Sequence, residues 1–466
     1  MTFSLEWKGC KNIFMDKKLT ASSYVLIGSM LFGLFFGAGN LIFPVHMGQE
    51  AGNSVFVATI GFLVTGIGLP FLGVVAIGIS KSDGLFGLAS RVHPFYGYAM
   101  TVLLYLTIGP FFALPRTGTV SYEIGIVPYM NPIYQSFGLA CFTVVFFLVA
   151  LVFSLRPNKI LTWIGKILNP LFLIFLAFLI FSSFFSPMGI VMNAPIHGAY
   201  VTEPFFKGFT EGYNTMDALA SLAFGIIVVQ TIKDLGVKSP RGIAVGTVKA
   251  GAISVLLMGI IYSCLAYIGA TSVAQYELST NGGTALAQIA KYYFGSAGSL
   301  LLAIIVTLAC LKTAIGLITA CAETFKELFP SLLSYRSYVI LFTIVSCLIA
   351  NVGLTQIISL SIPILMFLYP LAITLIILAF LSPLFKHRQS VYLLTTIFTL
   401  FASVGDAFNA IPDNMKNEAF IQKILLFYQS CLPFFDMGMG WVIPMLFGLS
   451  LGWIIGLCQR KSVRSY

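Results

Sequence analysis

The chain has 466 residues, 58% of them hydrophobic and 9% charged, with a mean hydropathy of +0.96. A soluble domain carries roughly 25% charged residues, so this chain cannot cover a water-facing surface of its own size. That excludes a soluble enzyme, a disordered chain and a nucleic-acid binder despite the net charge of +10; continuous apolar runs exclude an outer-membrane barrel, whose strands would alternate.

What remains is an all-α polytopic membrane protein. A span needs roughly 20 apolar residues to cross about 30 Å of hydrocarbon. Twelve stretches qualify, near 22–48, 54–80, 95–122, 136–155, 160–186, 204–233, 243–271, 296–322, 337–353, 355–382, 390–410 and 437–458. Ser337 to Phe385 runs 49 residues without a charge, too long for one helix, and Asn351-Val352-Gly353 predicts a hairpin turn there. The longest polar connections, near 187–203, 272–295 and 411–436, hold no soluble domain. One membrane-embedded unit is expected.

The first span carries Gly33, Gly37, Gly39, Asn40 and Pro44 at membrane depth. Glycine weakens a helix by about 1 kcal/mol relative to alanine, and proline removes a donor. Such residues persist in a bilayer where the freed backbone groups find partners in protein or a polar cavity. An unwound stretch at Gly37–Asn40 offers carbonyls to a cation and amides to a carboxylate, as in the discontinuous helices of secondary transporters. The plainer reading is close helix packing by small residues. In the third span, Arg116 follows Pro115, where a bend would aim it into a cavity, and Glu123 lies two turns on along the same face. They are too far apart in sequence for an ideal i,i+4 pair, though long side chains could approach; a structural or gating salt bridge is the expected role of Arg116, with substrate contact as its alternative, and solvation near the outer end is the alternative for Glu123.

The sixth span repeats the interruption at Gly212-Tyr-Asn-Thr-Met-Asp217-Ala-Leu-Ala-Ser221-Leu-Ala-Phe-Gly225. Interrupted helices at matching positions of two halves point to a midplane binding site. The matching halves would be helices 1–5 over 22–186 and helices 6–10 over 204–382, followed by 390–458. Asp217 falls at this interruption, and Lys312 lies deep in the eighth span. A charge at the bilayer centre costs roughly 2.5–3.5 kcal/mol on insertion scales, which makes Arg116, Asp217 and Lys312 candidates for function.

With the N-terminus cytoplasmic, 18 Lys and Arg fall on the cytoplasmic side and only Lys207, Lys291, Lys416 and Lys423 outside. This positive-inside bias explains the basic excess and predicts both termini in the cytoplasm. No cleavable signal is seen. The eight cysteines are scattered without a C-x-x-C and read as small hydrophobes. His46, His93, His197 and His387 are far apart, and no H-E-x-x-H, G-x-S-x-G or phosphate-loop motif is present. No enzyme activity, cofactor, metal beyond a coupling ion, nucleic acid or obligatory protein partner is expected.

Three segments carry a family resemblance: Phe36-Gly-Ala-Gly-Asn-Leu-Ile-Phe-Pro44, Ile108 to Glu123, and Glu211 to Gly225. Together they resemble the bacterial branched-chain amino acid carrier family (BrnQ, or LIVCS), along essentially the whole chain. The resemblance implies cation-coupled uptake of leucine, isoleucine and valine across the cytoplasmic (inner) membrane. It also implies the five-plus-five inverted-repeat, LeuT-like fold of the amino acid–polyamine–cation superfamily, with sodium as coupling ion. Carried over by position, the Gly33 and Phe36 carbonyls would face a sodium. Amides of Gly37, Ala38, Gly39 and Asn40 would take the substrate carboxylate. Ser221, Leu222, Ala223, Phe224 and Gly225 would supply carbonyls for the ammonium and apolar walls, with Phe35 as a further wall. In the eighth span Ala309 and Thr313 fit the related sodium transporters, but Lys312 stands where they carry a hydroxyl. A fixed ammonium there would take the place of the ion or relay protons, so the coupling ion is Na+ or H+. Lys312 as a functional substitute for sodium is the hypothesis that follows.

Overall fold

The structure, a computed structural model, describes residues 19–462 apart from 81, 83, 156–159 and 238. Of the basic residues that orient the chain, Lys8, Lys11, Lys17, Lys18, Lys81, Arg156, Lys159, Lys238 and Arg464 lie outside the described residues.

Apolar run length dictates the architecture, and no strand occurs among the described residues. The first span is two helices, α1 (Ala21–Phe35) and α2 (Ala38–Ala51). The second is α3 (Val55–Leu63) continuing through a widened turn into α4 (Leu69–Ser80). A short α5 (Leu85–Ala89) precedes α6 (Pro94–Leu106) and α7 (Ala113–Gly125), then α8 (Gln135–Leu155) and α9 (Ile160–Phe185). The sixth span is again two helices, α10 (Pro204–Glu211) and α11 (Asp217–Asp234). There follow α12 (Pro240–Ser272), α13 (Gly282–Leu328), α14 (Tyr335–Ala350) and α15 (Leu354–Leu381). The chain closes with α16 (Gln389–Asn409), α17 (Asp413–Lys416), α18 (Ala419–Cys431) and α19 (Val442–Ser462).

Each predicted segment falls largely on helix. Among the described residues, seven helical stretches are long and apolar enough to cross a membrane, or eight counting the bent pair Pro204–Thr215 and Asp217–Asp234. Ala21–Gly33, Leu173–Phe185, Tyr335–Ala350 and Val442–Cys458 are apolar but shorter. The predicted hairpin is present: α14 stops at Ala350 and Gly353, at φ +95°, starts α15.

Three details differ from expectation. The connection at 272–295 contains a helix, because Asn281 Oδ1 accepts the amides of Gly283 and Thr284 at 2.9 and 3.0 Å and caps α13. That helix bends at Gly295 (φ +60°), with buried residues on both sides of the bend. The connection at 411–436 contains α18. In the third span the bend lies at Gly109-Pro110, not at Pro115: Gly109 has φ −96° and ψ −123°. Pro115 sits in the first turn of α7, where its missing amide costs nothing.

Small residues bring the spans together. Gly48 and Gly269 let α2 and α12 cross so closely that a Cβ at either would stand 2.0 Å from the Ala266 or Val45 carbonyl oxygen. Gly61 and Gly208 do the same for α3 and α10, each with a Cβ position 2.0 Å from the Phe205 or Ala58 oxygen. As a result α12 lies along both halves of the first span, while α3 and α4 lie along both halves of the sixth. Each broken helix is braced by one long neighbour.

Candidate functional site

The first break is at Phe36–Gly37. Phe36 ends α1 in an extended conformation (ψ 95°), its amide donating to the Phe32 carbonyl at 2.8 Å. The Gly37 amide, which a continuous helix would give to the Gly33 carbonyl, donates instead to Asn40 Oδ1 at 3.0 Å. Asn40 therefore caps α2 from its third position and holds the gap open. Its Nδ2 donates to Asp217 Oδ2 at 2.5 Å and also to the Tyr262 hydroxyl, which itself donates to Asp217 Oδ2 at 3.1 Å. One amide side chain thus ties the first break to the sixth span and to α12.

The second break is at Met216. Its backbone is left-handed (φ +61°, ψ +9°), a conformation that costs a non-glycine residue energy and persists only where surroundings enforce it. The two halves meet at 46°. Thr215 Oγ1 accepts the Asp217 amide at 3.3 Å, and Asp217 starts α11, where a carboxylate is favoured by the helix dipole. Asp217 is only 3% exposed.

Arg116, on α7, is 2% exposed. Its Nη1 donates to the Asn214 carbonyl at 2.6 Å, at the carbonyl end of the first half of the sixth span, and its Nη2 donates to Ser361 Oγ on α15 at 3.2 Å. The guanidinium stacks over the Phe43 ring at 4.8 Å. Its buried Nε has no hydrogen-bond partner. The expected pairing of Arg116 with Glu123 is not formed. Glu123, two turns along α7, has its Cβ 3.3 Å from the position a Gly283 Cβ would take, beside the N-terminus of α13. Among the described residues the salt bridge present is Lys207–Glu211 at 3.3 Å.

Asn40, Arg116, Thr215, Met216 and Asp217 line a half-open cavity of about 60 Å³. Of the predicted site residues, Phe35, Gly37, Gly39, Asn40, Arg116, Asp217, Phe224 and Thr313 line it. Thr313 faces the first break, with Cγ2 3.5 Å from the Gly37 Cβ position. Ala38 opens α2 beside them. Ser221, Leu222, Ala223 and Gly225 are not among its lining residues: the break lies at Met216, and within continuous α11 Ala220 and Phe224 line the cavity while these four do not. Ser221 faces Gly73 on α4, where a Cβ would meet its Oγ at 1.9 Å; Gly225 packs on Ile77; and the Ala223 carbonyl accepts the Tyr105 hydroxyl at 3.3 Å. Gly33, Phe36, Ala309 and Lys312 are set back from this wall, with the Ala309 carbonyl accepting Thr313 Oγ1 at 3.1 Å. Thr215, Ser361 and Tyr262 were not singled out from the sequence. A hydroxyl in an apolar span commonly bonds its own helix, so nothing in the sequence marks these three. A larger cavity of about 190 Å³ lies on the other side of Asn214, lined by Glu211, Lys207, Asp406 and Asp436 among others.

The sequence profile of branched-chain amino acid transport proteins matches residues 20–459. The chain belongs to that family. It is 46% identical over 448 residues to the branched-chain amino acid permease BrnQ of Lactobacillus delbrueckii subsp. lactis, covering 96% of this chain and 100% of the relative. It is 44% identical over 450 residues to the permease BrnQ of Bacillus subtilis (strain 168), with the same coverage. Like these relatives, this family member is a transporter and not an enzyme. Its backbone is similar to that of Mhp1 in an inward-facing conformation, with a TM-score of 0.60, 16% identity and coverage of 96% of this chain and 92% of Mhp1. It is also similar to MhsT in complex with L-phenylalanine, with a TM-score of 0.53, 14% identity and coverage of 93% and 99%. At these identities the likeness establishes the shared fold, a LeuT-like all-helical transporter bundle.

Proposed function

We propose that this protein is a secondary active transporter that takes leucine, isoleucine and valine into the bacterial cell across the cytoplasmic membrane. In this reading the chain crosses twelve times with both termini in the cytoplasm, and residues 22–186 and 204–382 are inverted repeats. The observation that carries it is the meeting of two broken helices, through Asn40, Asp217 and Tyr262, around one cavity. The repeat assignment is supported by packing: α12 braces the broken first span as α3 and α4 brace the broken sixth.

Transport is coupled to a cation. Diversion of the Gly37 amide to Asn40 frees the Gly33 carbonyl from its helical donor, and Thr313 offers a hydroxyl opposite. Lys312, next to Thr313, is the residue we propose takes the place of a sodium ion. The test is leucine uptake by proteoliposomes under imposed sodium or proton gradients, for wild type and Lys312→Thr. Uptake by the wild type without a sodium gradient, with sodium dependence appearing in Lys312→Thr, is expected; strict sodium dependence of the wild type overturns the role of Lys312. Failure of isoleucine and valine to compete with leucine overturns the substrate assignment.

A further inference from the structure

The larger cavity, of about 190 Å³, is separate from the meeting of the two breaks. It lies at the end of the bundle that holds the connections 187–203 and 411–436, between α10, α15, α16 and the segment 436–438. Its charges are unbalanced. Glu203, Glu211, Asp406 and Asp436 line it against one base, Lys207, whose Nζ is already engaged by Glu211 at 3.3 Å.

An acidic lining is ordinarily a solvated surface, but one of these acids is not solvated. Asp406 is fully buried, and neither of its carboxylate oxygens has a hydrogen-bond partner. The other two buried acids among the described residues are supplied with donors: Glu211 by Lys207 and Asn214, Asp217 by Asn40 and Tyr262. Gly440 comes so close to Asp406 that a Cβ there would stand 3.1 Å from Oδ1. The Gly440 and Trp441 amides lie near the carboxylate but outside hydrogen-bond geometry. Tyr213 lines the same cavity, and its buried hydroxyl also lacks a partner. Buried polar groups are rarely left unpaired, so both point to something that enters this cavity.

The rest of the lining selects the kind of cation. A bare metal ion is held by several oxygens at once, and among the described residues no three His, Cys, Asp or Glu come together to hold one. Ile362, Leu365, Met366 and Met437 instead present an apolar wall, which suits a ligand with a hydrocarbon body and one polar end. An acid group on that ligand would meet four carboxyl side chains and a lysine already paired.

We infer that this cavity is a second binding site, for an alkylammonium ion without an acid group: the Asp406 carboxylate accepts its N–H groups, the Tyr213 hydroxyl accepts another, and the apolar wall covers its chain. Asp406 holds no hydrogen bond, so a rotation of its carboxylate toward the ligand breaks none.

The experiment measures equilibrium binding to purified full-length protein in detergent at about pH 7, where an alkylamine is charged. The probes are 3-methylbutylammonium, its neutral isostere 3-methylbutan-1-ol and the anion 3-methylbutanoate. In the wild type the ammonium binds at least about tenfold more tightly than the alcohol, the lower end of what a hydrogen bond to a charged group contributes, and the anion binds more weakly than either. Asp406→Asn brings the ammonium to within about threefold of the alcohol and leaves the alcohol within about threefold of its wild-type affinity, which reports an intact cavity. Asp217→Asn keeps the tenfold preference, as a site apart from the two breaks requires. A wild type that does not prefer the ammonium to the alcohol overturns the inference, and this arm needs no variant to fold. So does a preference that survives Asp406→Asn or is lost in Asp217→Asn. Should Asp406→Asn give no folded protein, Ala410→Trp decides: it fills the cavity and leaves Asp406 in place, and ammonium binding that survives it overturns the inference. No arm uses leucine, so the outcome is independent of the substrate assignment.

Discussion

Asn40 is the position where a small change should have the largest effect. Substituting Asn40→Ala removes the acceptor of the Gly37 amide and the donor to the Asp217 carboxylate, both inside the protein. A neutral hydrogen bond contributes about 1 kcal/mol and one to a charged group about 1.5–3 kcal/mol. The substitution should therefore weaken leucine binding by about 2.5–4 kcal/mol, roughly 70- to 900-fold. The assay is a double-mutant cycle of dissociation constants over wild type, Asn40→Ala, Asp217→Asn and the double variant. In the Asp217→Asn background Asn40 donates to a neutral amide oxygen and contributes about 1 kcal/mol, so a coupling energy of about 0.5–2 kcal/mol remains. Losses that add to within about 0.5 kcal/mol would show that the two breaks are not joined through this contact in the binding-competent protein.

Other expectations follow from packing, from the support of Arg116 and from topology. Gly48→Val drives a side chain into the Ala266 carbonyl and should abolish monodisperse protein in size-exclusion chromatography, whereas Gly316→Ala, with nothing within 4 Å of its Cβ position, should elute as wild type. Ser361→Ala removes the Nη2 acceptor of Arg116; a loss of about 1 kcal/mol, near fivefold in leucine affinity, is expected, and an unchanged affinity would show that this hydroxyl does not position the guanidinium. Cys431 is exposed on α18, so in a variant with that cysteine alone a membrane-impermeant maleimide should label intact cells. Labelling confined to inverted vesicles would reverse the orientation assigned from the basic residues.

The legible part of this protein is what the bilayer demands locally. Run length and the absence of charge locate the helices, because a span must satisfy its own backbone. Gly37 and Asn40 mark the first break because both act within four residues of each other, the amide of one on the side chain of the other. The sixth break is less legible: nine of the fourteen residues from Gly212 to Gly225 are small or polar, and choosing Met216 over Ser221–Gly225 depends on Gly73 and Ile77, which pack beside α11. Sequence reasoning placed Arg116 with Glu123 because they share a helix face, the one relation visible along a chain. The partners it has are the Asn214 carbonyl, 98 residues away, and Ser361, 245 residues away. Asp217 likewise meets Asn40 across 177 residues. Local rules therefore identify which residues are costly to hold in a membrane, and long-range packing decides what they serve. A charge that finds no counter-ion after all such contacts are made is the signal neither level carries alone. In this chain Arg116 and Asp217, both buried at one cavity, show it.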